Sequence, residues 1–320
     1  MNQRFAGKTA TVFGGNGFLG SNLVVALVRE GATVRSFDRA PATVPLPENV
    51  QSIVGDILDE QAVAEAVAGT DHIFAFAGGY GAGRSIEDPV GDLESSPRAQ
   101  LLLLQSMVRL CPSASVVLPG SRLEYGRPEY LPVDEKHSLH GDSPYALHKT
   151  ACAGYYRLFA EQNDLHTVVL RLSNPFGASP LMGAAARPSG VLNVFIAMAL
   201  KGETIPLYGG GGQLRDFIFV DDVVSAALAA SLSPHIKGNV LNIGSGKGVS
   251  ICDAARAAVA ECGSGAVDEN AEWPSVEARI ETGDFYFDVS AAQNILGWAP
   301  AVSLEVGIRR TVSALKDSNS

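Results

Sequence analysis

TATVFGGNGFLGSNLVVALVRE, residues 9–30, decides how this chain folds. A short strand-like run enters a glycine-rich turn, and a stretch of helical periodicity follows at once. Gly14, Gly17 and Gly20 stand at GxxGxxG spacing between the two. Glycine there permits a tight turn and lets a pyrophosphate approach the backbone at the helix N-terminus, where free N–H groups favour an anion. Asp38 closes the next strand-like run, near the ~20-residue offset at which an acid receives the ribose hydroxyls of a dinucleotide. Its charge would repel a 2′-phosphate and favours NAD over NADP. Arg39, directly after it, meets a phosphate or stacks on adenine in one reading and lies exposed in the other.

Downstream, the same alternation continues through TVRSF, QSIVG, DEQAVAEAVAG, DHIFAFA, PRAQLLLLQSMVRL and SVVLP. Strand-like runs separated by helical stretches predict parallel βαβ units and a doubly wound α/β sheet. YALHKTACAGYYRLFAEQ reads as a further helix and HTVVLRL as the strand after it. From Asn174 the texture shifts to Gly- and Pro-rich loops between shorter elements, which predicts a smaller unit grafted onto the sheet. RDFIFV and VLNIG read as strands that return to the first domain.

Composition narrows the function classes. The chain has 320 residues, 46% of them hydrophobic, and can bury a large core. A net charge of -10 argues against nucleic-acid binding, so an anionic ligand must be held by local arginines. The 4 cysteines have neither metal-ligand spacing nor disulfide-framework density; no metal site is expected and a reducing cytoplasm fits. The N-terminus lacks a signal-peptide pattern, and no apolar run has the length of a membrane span.

Tyr145 and Lys149 are four residues apart in SPYALHKTA. On a helix, i and i+4 are neighbours, so the ammonium lies beside the phenol and favours its phenolate form. The spacing by itself also suits a surface lysine one turn past a half-buried tyrosine. Nearby His137, His140 and His148 read as structural, and His148 lies on a different helix face from Lys149.

With the glycine loop, Asp38, GDI at Gly55–Ile57, the serine of GSRLEYG and YALHK in this order, the chain resembles the extended short-chain dehydrogenase/reductases, specifically the nucleotide-sugar epimerase and dehydratase branch. RLSNPFG, LYGGGGQLRDFIFVDDV and DVSAAQNILGWAP extend the resemblance along essentially the whole chain. It implies a Rossmann-type NAD domain over residues 1–172 and 214–243 and a nucleotide-sugar-binding domain over 173–213 and 244–320. It also implies Tyr145 as general base, Lys149 on the nicotinamide ribose, and Ser121 on the reacting sugar oxygen. Gly14, Gly17, Phe18, Leu19 and Gly20 would form the cofactor turn. Asp56 and Ile57 would meet adenine, and Ala75, Ala77 and Gly78 would line the cofactor beyond the fourth strand.

A nucleotide-diphosphate sugar needs specific cations in so acidic a chain. Arg215, Arg279 and Asn174 occupy the places where the resembled family holds the diphosphate, while Tyr208 and Val191 border the base or serve the core. Tyr80, Arg84 and Ser85, in GGYGAGRS, lie where relatives touch cofactor or hexose. Three departures stand out. Arg122 and Leu123 replace the acid pair of the 4,6-dehydratases, and Glu124, on a strand, would point to the opposite face. Arg122 either meets a polar or acidic sugar substituent or pairs with Glu124 or Asp134. The 78–83 loop is unusually glycine-rich.

The resemblance implies a nucleotide-sugar epimerase, acting at C4 through a 4-keto sugar with tightly held NAD. A 4-keto-sugar reductase is the alternative, with mutase, decarboxylase or dehydratase activity behind it and a non-catalytic dinucleotide sensor last. Apolar stretches at 101–110 and 151–159 could pair across a two-fold axis as the four-helix interface typical of the resembled family, which implies a homodimer.

Overall fold

A computed structural model describes residues 3–181, 189–274, 278 and 281–317. The opening run forms strand β1 (Thr9–Phe13), and helix α1 (Phe18–Arg29) follows the glycine turn. Next come β2 (Thr33–Asp38), β3 (Val50–Val54), α2 (Glu60–Val67) and β4 (His72–Ala75). Two short helices, α3 (Ala82–Glu87) and α4 (Pro89–Leu93), lead to α5 (Ala99–Leu110), β5 (Ser115–Ser121), α6 (Pro144–Asn163) and β6 (His166–Leu172).

These strands and Asn239–Ile243 form one seven-stranded sheet, parallel at every pairing. From one edge the order is Asn239–Ile243, β6, β5, β4, β1, β2, β3. The chain therefore winds outward in both directions from the β1–β4 seam. In such a sheet the crevice at the strands' C-terminal ends, where the winding reverses, is where ligands bind.

Helices cover both faces, so successive strand residues alternate between two cores. Val12, Leu23, Leu27 and Phe74 pack on one side with the helix Val220–Leu232. Phe13, Val63, Leu103 and Tyr156 pack on the other, beneath α2, α5 and α6. Burying such side chains stabilises the sheet by roughly 1.5–3 kcal/mol each.

A third core, including Phe176, Phe195, Ile205 and Phe219, lies under the smaller unit. Of the two strands expected to return to the main sheet, only VLNIG does so. Within RDFIFV, Phe217–Phe219 pairs with Asn174–Phe176 and Leu214–Arg215 with Val249–Ser250, because the three phenylalanines at 176, 217 and 219 bury their rings in the third core. No described helix is long and apolar enough to cross a membrane.

Candidate active site

Helix α6 starts at Ser143, whose Oγ accepts the Ala146 N–H at 3.2 Å, and Pro144 sets the first turn. That start puts Tyr145 in the first turn, where its backbone N–H donates to Ser85 Oγ at 3.1 Å. Lys149, buried one turn on, donates from Nζ to the Pro119 carbonyl at 2.9 Å and lies 5.7 Å from the centre of the Tyr145 ring. Gly79, at φ +83°, passes close to that ring; a Cβ there would sit 3.3 Å from Tyr145 Cε2.

Ser121 ends β5 and caps a 3-10 turn, Arg122–Tyr125, its Oγ accepting the Leu123 N–H at 3.2 Å. Tyr145, Lys149 and Ser121 thus converge at the end of β5. Glu124 belongs to the turn rather than to a strand, so its direction does not follow from strand alternation. Its Oε1 accepts the Ser121 N–H at 2.8 Å, and its Oε2 accepts Arg171 Nε at 2.8 Å. Arg171 also donates to the Tyr125 hydroxyl at 3.0 Å, which donates to Asn242 Oδ1 at 2.7 Å. Burial pushes the Tyr125 phenol up to about 12 even beside that cation. Glu124 is accordingly a buried structural acid.

The cofactor candidates surround a cleft of about 400 Å³ at the β1–β4 seam, lined by Gly14, Gly17, Asp38, Arg39, Asp56, Ile57, Ala77, Gly78 and Tyr80. Phe18 and Leu19 open α1 and lean on the third core. Ala75 is buried beneath the cleft, so its side chain does not line it. A Cβ at Gly14 would meet Ala77 N at 2.8 Å, and one at Gly20 would meet the Gly14 carbonyl oxygen at 2.0 Å. No side chain caps the N-terminus of α1. Its first amides, with backbone drawn in close and a carboxylate at the end of β2, fit a dinucleotide's pyrophosphate and ribose. The Asp38 carboxylate is fixed by the Asn16 N–H at 3.1 Å and the Arg39 N–H at 2.8 Å.

On the substrate side, Asn174 anchors its Nδ2 on the Asp216 carbonyl at 2.9 Å and turns Oδ1 toward Arg122 Nε, 3.3 Å away. Arg122 Nη1 donates to Thr282 Oγ1 at 3.0 Å, and its guanidinium lies 5.2 Å from the Phe285 ring centre. Neither expected carboxylate partner is available to it. Glu124 is held by Arg171, and Asp134 accepts the Tyr130 hydroxyl at 2.7 Å. Enclosure of the guanidinium, with Arg215 near it, lowers the Arg122 pKa to about 9. Arg215 is buried and grips both oxygens of Glu281, at 2.5 and 2.6 Å, together with the Leu214 and Gly283 carbonyls. Arg215 is thus committed to an ion pair, and a diphosphate held there would compete with Glu281. Arg279 lies outside the described residues.

Ser85 is fully buried, donating to the Ala82 carbonyl at 2.8 Å while holding α6 by the Tyr145 amide; it supports the tyrosine and does not face a sugar. Arg84 stacks on Tyr80, its Cζ 4.0 Å from the ring centre. Val191 opens the helix Val191–Leu200 and packs on the third core. Tyr208 leans on Trp273, with ring centres 5.4 Å apart.

Sequence reasoning missed Thr282, Glu281, Trp273 and Asp92. Buried Asp92 accepts the Tyr80 N–H at 2.7 Å and contacts His148 Nδ1 at 2.7 Å, which ties the glycine-rich loop to α6. These partners come from segments 12 to 160 residues apart, beyond any helical or strand spacing signal. His137 accepts the Glu129 N–H on Nε2 at 2.8 Å and is structural. Among the described residues no His, Cys, Asp and Glu grouping suits a metal ion.

The sequence profile of the NAD dependent epimerase/dehydratase family matches residues 10–244. A Methanocaldococcus jannaschii protein provisionally described as a UDP-glucose 4-epimerase is 30% identical over 96% of this chain and 98% of its own length. UDP-glucuronic acid decarboxylase 1 of Xenopus tropicalis is 27% identical over 95% of this chain and 71% of its own. The crystal structure of the Thermotoga maritima UDP-glucose 4-epimerase with UDP-glucose superposes with a TM-score of 0.86 at 25% identity, covering 98% of this chain and 100% of that one.

Proposed function

Because this chain belongs to the NAD dependent epimerase/dehydratase family, we propose that it is a nucleotide-sugar epimerase that inverts C4. The reading is carried by one observation: Lys149 lies beside the Tyr145 ring and is tied to Pro119 on β5, the strand that ends at Ser121, and Gly79 of the cleft that carries the Asp38 carboxylate passes close to that ring. Bound NAD would supply the acceptor and donor of hydride.

Tyr145 takes the proton of the C4 hydroxyl and returns it after the 4-keto sugar has turned over. Lys149, fixed by Pro119, holds its ammonium 5.7 Å from the centre of the phenol ring, one helical turn on. The Ser121 hydroxyl accepts the Leu123 amide and so keeps its own hydrogen free for the reacting sugar oxygen. Asn174 and Arg215 hold the diphosphate, with Glu281 displaced. Dehydration lacks its acid, because Glu124 is locked to Arg171 in the interior. Decarboxylases also stand among the relatives.

The test incubates purified protein with a panel of nucleotide sugars, follows products by NMR and monitors reduced-nicotinamide absorbance. Isomerisation without net cofactor change is the expected outcome. Stoichiometric oxidation of added NADH on a keto sugar, or release of carbon dioxide, assigns the chain to another branch. Tyr145→Phe is expected to lower turnover by roughly 10²- to 10⁴-fold while NAD stays bound; retained activity refutes the base.

A further inference from the structure

Among the described residues, Arg122 forms no ion pair. The two buried arginines of this region each hold a carboxylate, Arg171 with Glu124 and Arg215 with Glu281, while Arg122 is half-buried. Arg122 meets only neutral partners: the Asn174 amide oxygen, the Thr282 hydroxyl and the face of Phe285. Among the described residues, no carboxylate lies within ion-pair distance of it. Nearby acids are occupied; Asp216 accepts the Ser245 amide and hydroxyl and the Gly246 and Phe287 amides. Enclosing a charge is costly unless a partner arrives.

From this geometry we infer that Arg122 selects nucleotide sugars whose hexose carries a carboxylate. It deepens the proposed function, resting on it for where the hexose sits. Arg122 directly follows Ser121, the residue assigned to the reacting sugar oxygen, so its backbone is ~3.8 Å away, and its guanidinium reaches from there to Asn174 and Thr282. A guanidinium has five N–H donors in a planar fork; two are engaged by Asn174 and Thr282, and the rest match the two oxygens of a carboxylate. Thr282 Oγ1 accepts from Arg122 and keeps its own hydrogen for the same anion. A neutral hydroxymethyl group would leave the cation unpaired. The depressed Arg122 pKa, caused first by enclosure and then by the Arg215 charge, is the mark of that missing anion.

The test compares acid and neutral sugars on one nucleotide, UDP-glucuronic acid against UDP-glucose and UDP-N-acetylglucosaminuronic acid against UDP-N-acetylglucosamine. Dissociation constants of the NAD-loaded protein are measured by calorimetry and KM separately by turnover. The acid is expected to bind tighter in at least one pair by roughly 10- to 100-fold, the size of a charge-assisted hydrogen-bond pair. Arg122→Gln is expected to erase that ratio, and Arg122→Lys, which keeps the charge, to retain part of it.

No preference for the acid in either pair overturns the inference. So does an Arg122→Gln variant that weakens both members equally, since the arginine then serves the shared diphosphate. If Arg122→Gln does not fold, the Lys variant and Thr282→Val carry the test through the same ratio, and an unchanged ratio in both overturns the inference. The two proposals fail separately: tight uronate binding without isomerisation refutes only the reaction, and epimerisation without acid preference refutes only the role of Arg122.

Discussion

In the proposed site a single residue, Asp38, sets the cofactor choice. The Asp38 carboxylate is held by two backbone amides at the end of β2, so it cannot swing away from a ribose hydroxyl or from a 2′-phosphate. Removing it in Asp38→Ala is expected to weaken NAD binding roughly 10-fold or more, the scale of lost charged hydrogen bonds, and to reduce the discrimination against NADP. Fluorescence titration with both cofactors reads this, and unchanged affinities for the two would remove Asp38 from the ribose site. Asp38, Tyr145 and Lys149 were legible in the sequence because their geometry is local: the end of a strand, or one turn of a helix. The partners of Arg122 and Arg215 were not. Arg122 passes over Glu124, two residues away, for neutral partners, and Arg215 pairs with Glu281; the packing of the 281–285 segment beside Asn174 decided both.

At the scale of elements, the short turn after β5 does more than end a strand. Ser121 and Glu124 satisfy each other's amides, and Glu124 anchors that turn to Arg171 on β6, two elements that meet only in the folded sheet. Glu124→Ala leaves the Arg171 guanidinium buried without its acid. The expected loss is about 3–5 kcal/mol, read as a lower denaturation midpoint, together with poorer placement of Ser121. A variant that melts like the parent would mean that Arg171 finds solvent, against its burial. The glycine turn obeys a harder constraint. A Cβ at Gly20 would overlap the Gly14 carbonyl, so Gly20→Ala is expected to disrupt the turn and abolish NAD binding where a surface alanine would not. The glycine spacing announces the first turn, whereas the 3-10 turn directly continues the buried run of β5, and only its Ser121–Glu124 capping pair marks where the strand ends.

Across the whole molecule, pH and assembly act on the fold as a unit. His72 is packed edge-on against Phe5, with Nδ1 2.9 Å from Ser115 Oγ and 2.7 Å from Ser231 Oγ. Burial lowers its pKa, and it lowers that of His166 as well; Asp71 opposes the shift at His72 without cancelling it. An unfolded histidine titrates near ~6.5 and so takes a proton that the folded one refuses. Stability is therefore full above that value and falls as pH drops below it. Thermal melts from about pH 7 to about pH 5 are expected to show a declining midpoint, with a shallower decline in His72→Leu, where Ser115 and Ser231 still bond each other at 2.9 Å. For assembly, we propose that α5 and α6 form the dimer interface. Leu147 and Leu158, three turns apart on one face of α6, are exposed, and a Cβ at Gly154 between them meets nothing. Gly154→Arg is expected to give a folded monomer by sedimentation; a dimer that survives it uses another surface.

What the sequence determined by itself was the alternating βαβ order, the turn that receives a dinucleotide, and the tyrosine and lysine on one helix. All of these follow from periodicity and steric rules acting over a few residues. The tertiary structure alone decided which charges are left over. Ion pairing inside a protein is a competition among groups brought together from remote segments, and its result depends on packing that no local spacing encodes. Glu124 went to Arg171 and Glu281 to Arg215. Arg122 was left with neutral neighbours beside Ser121.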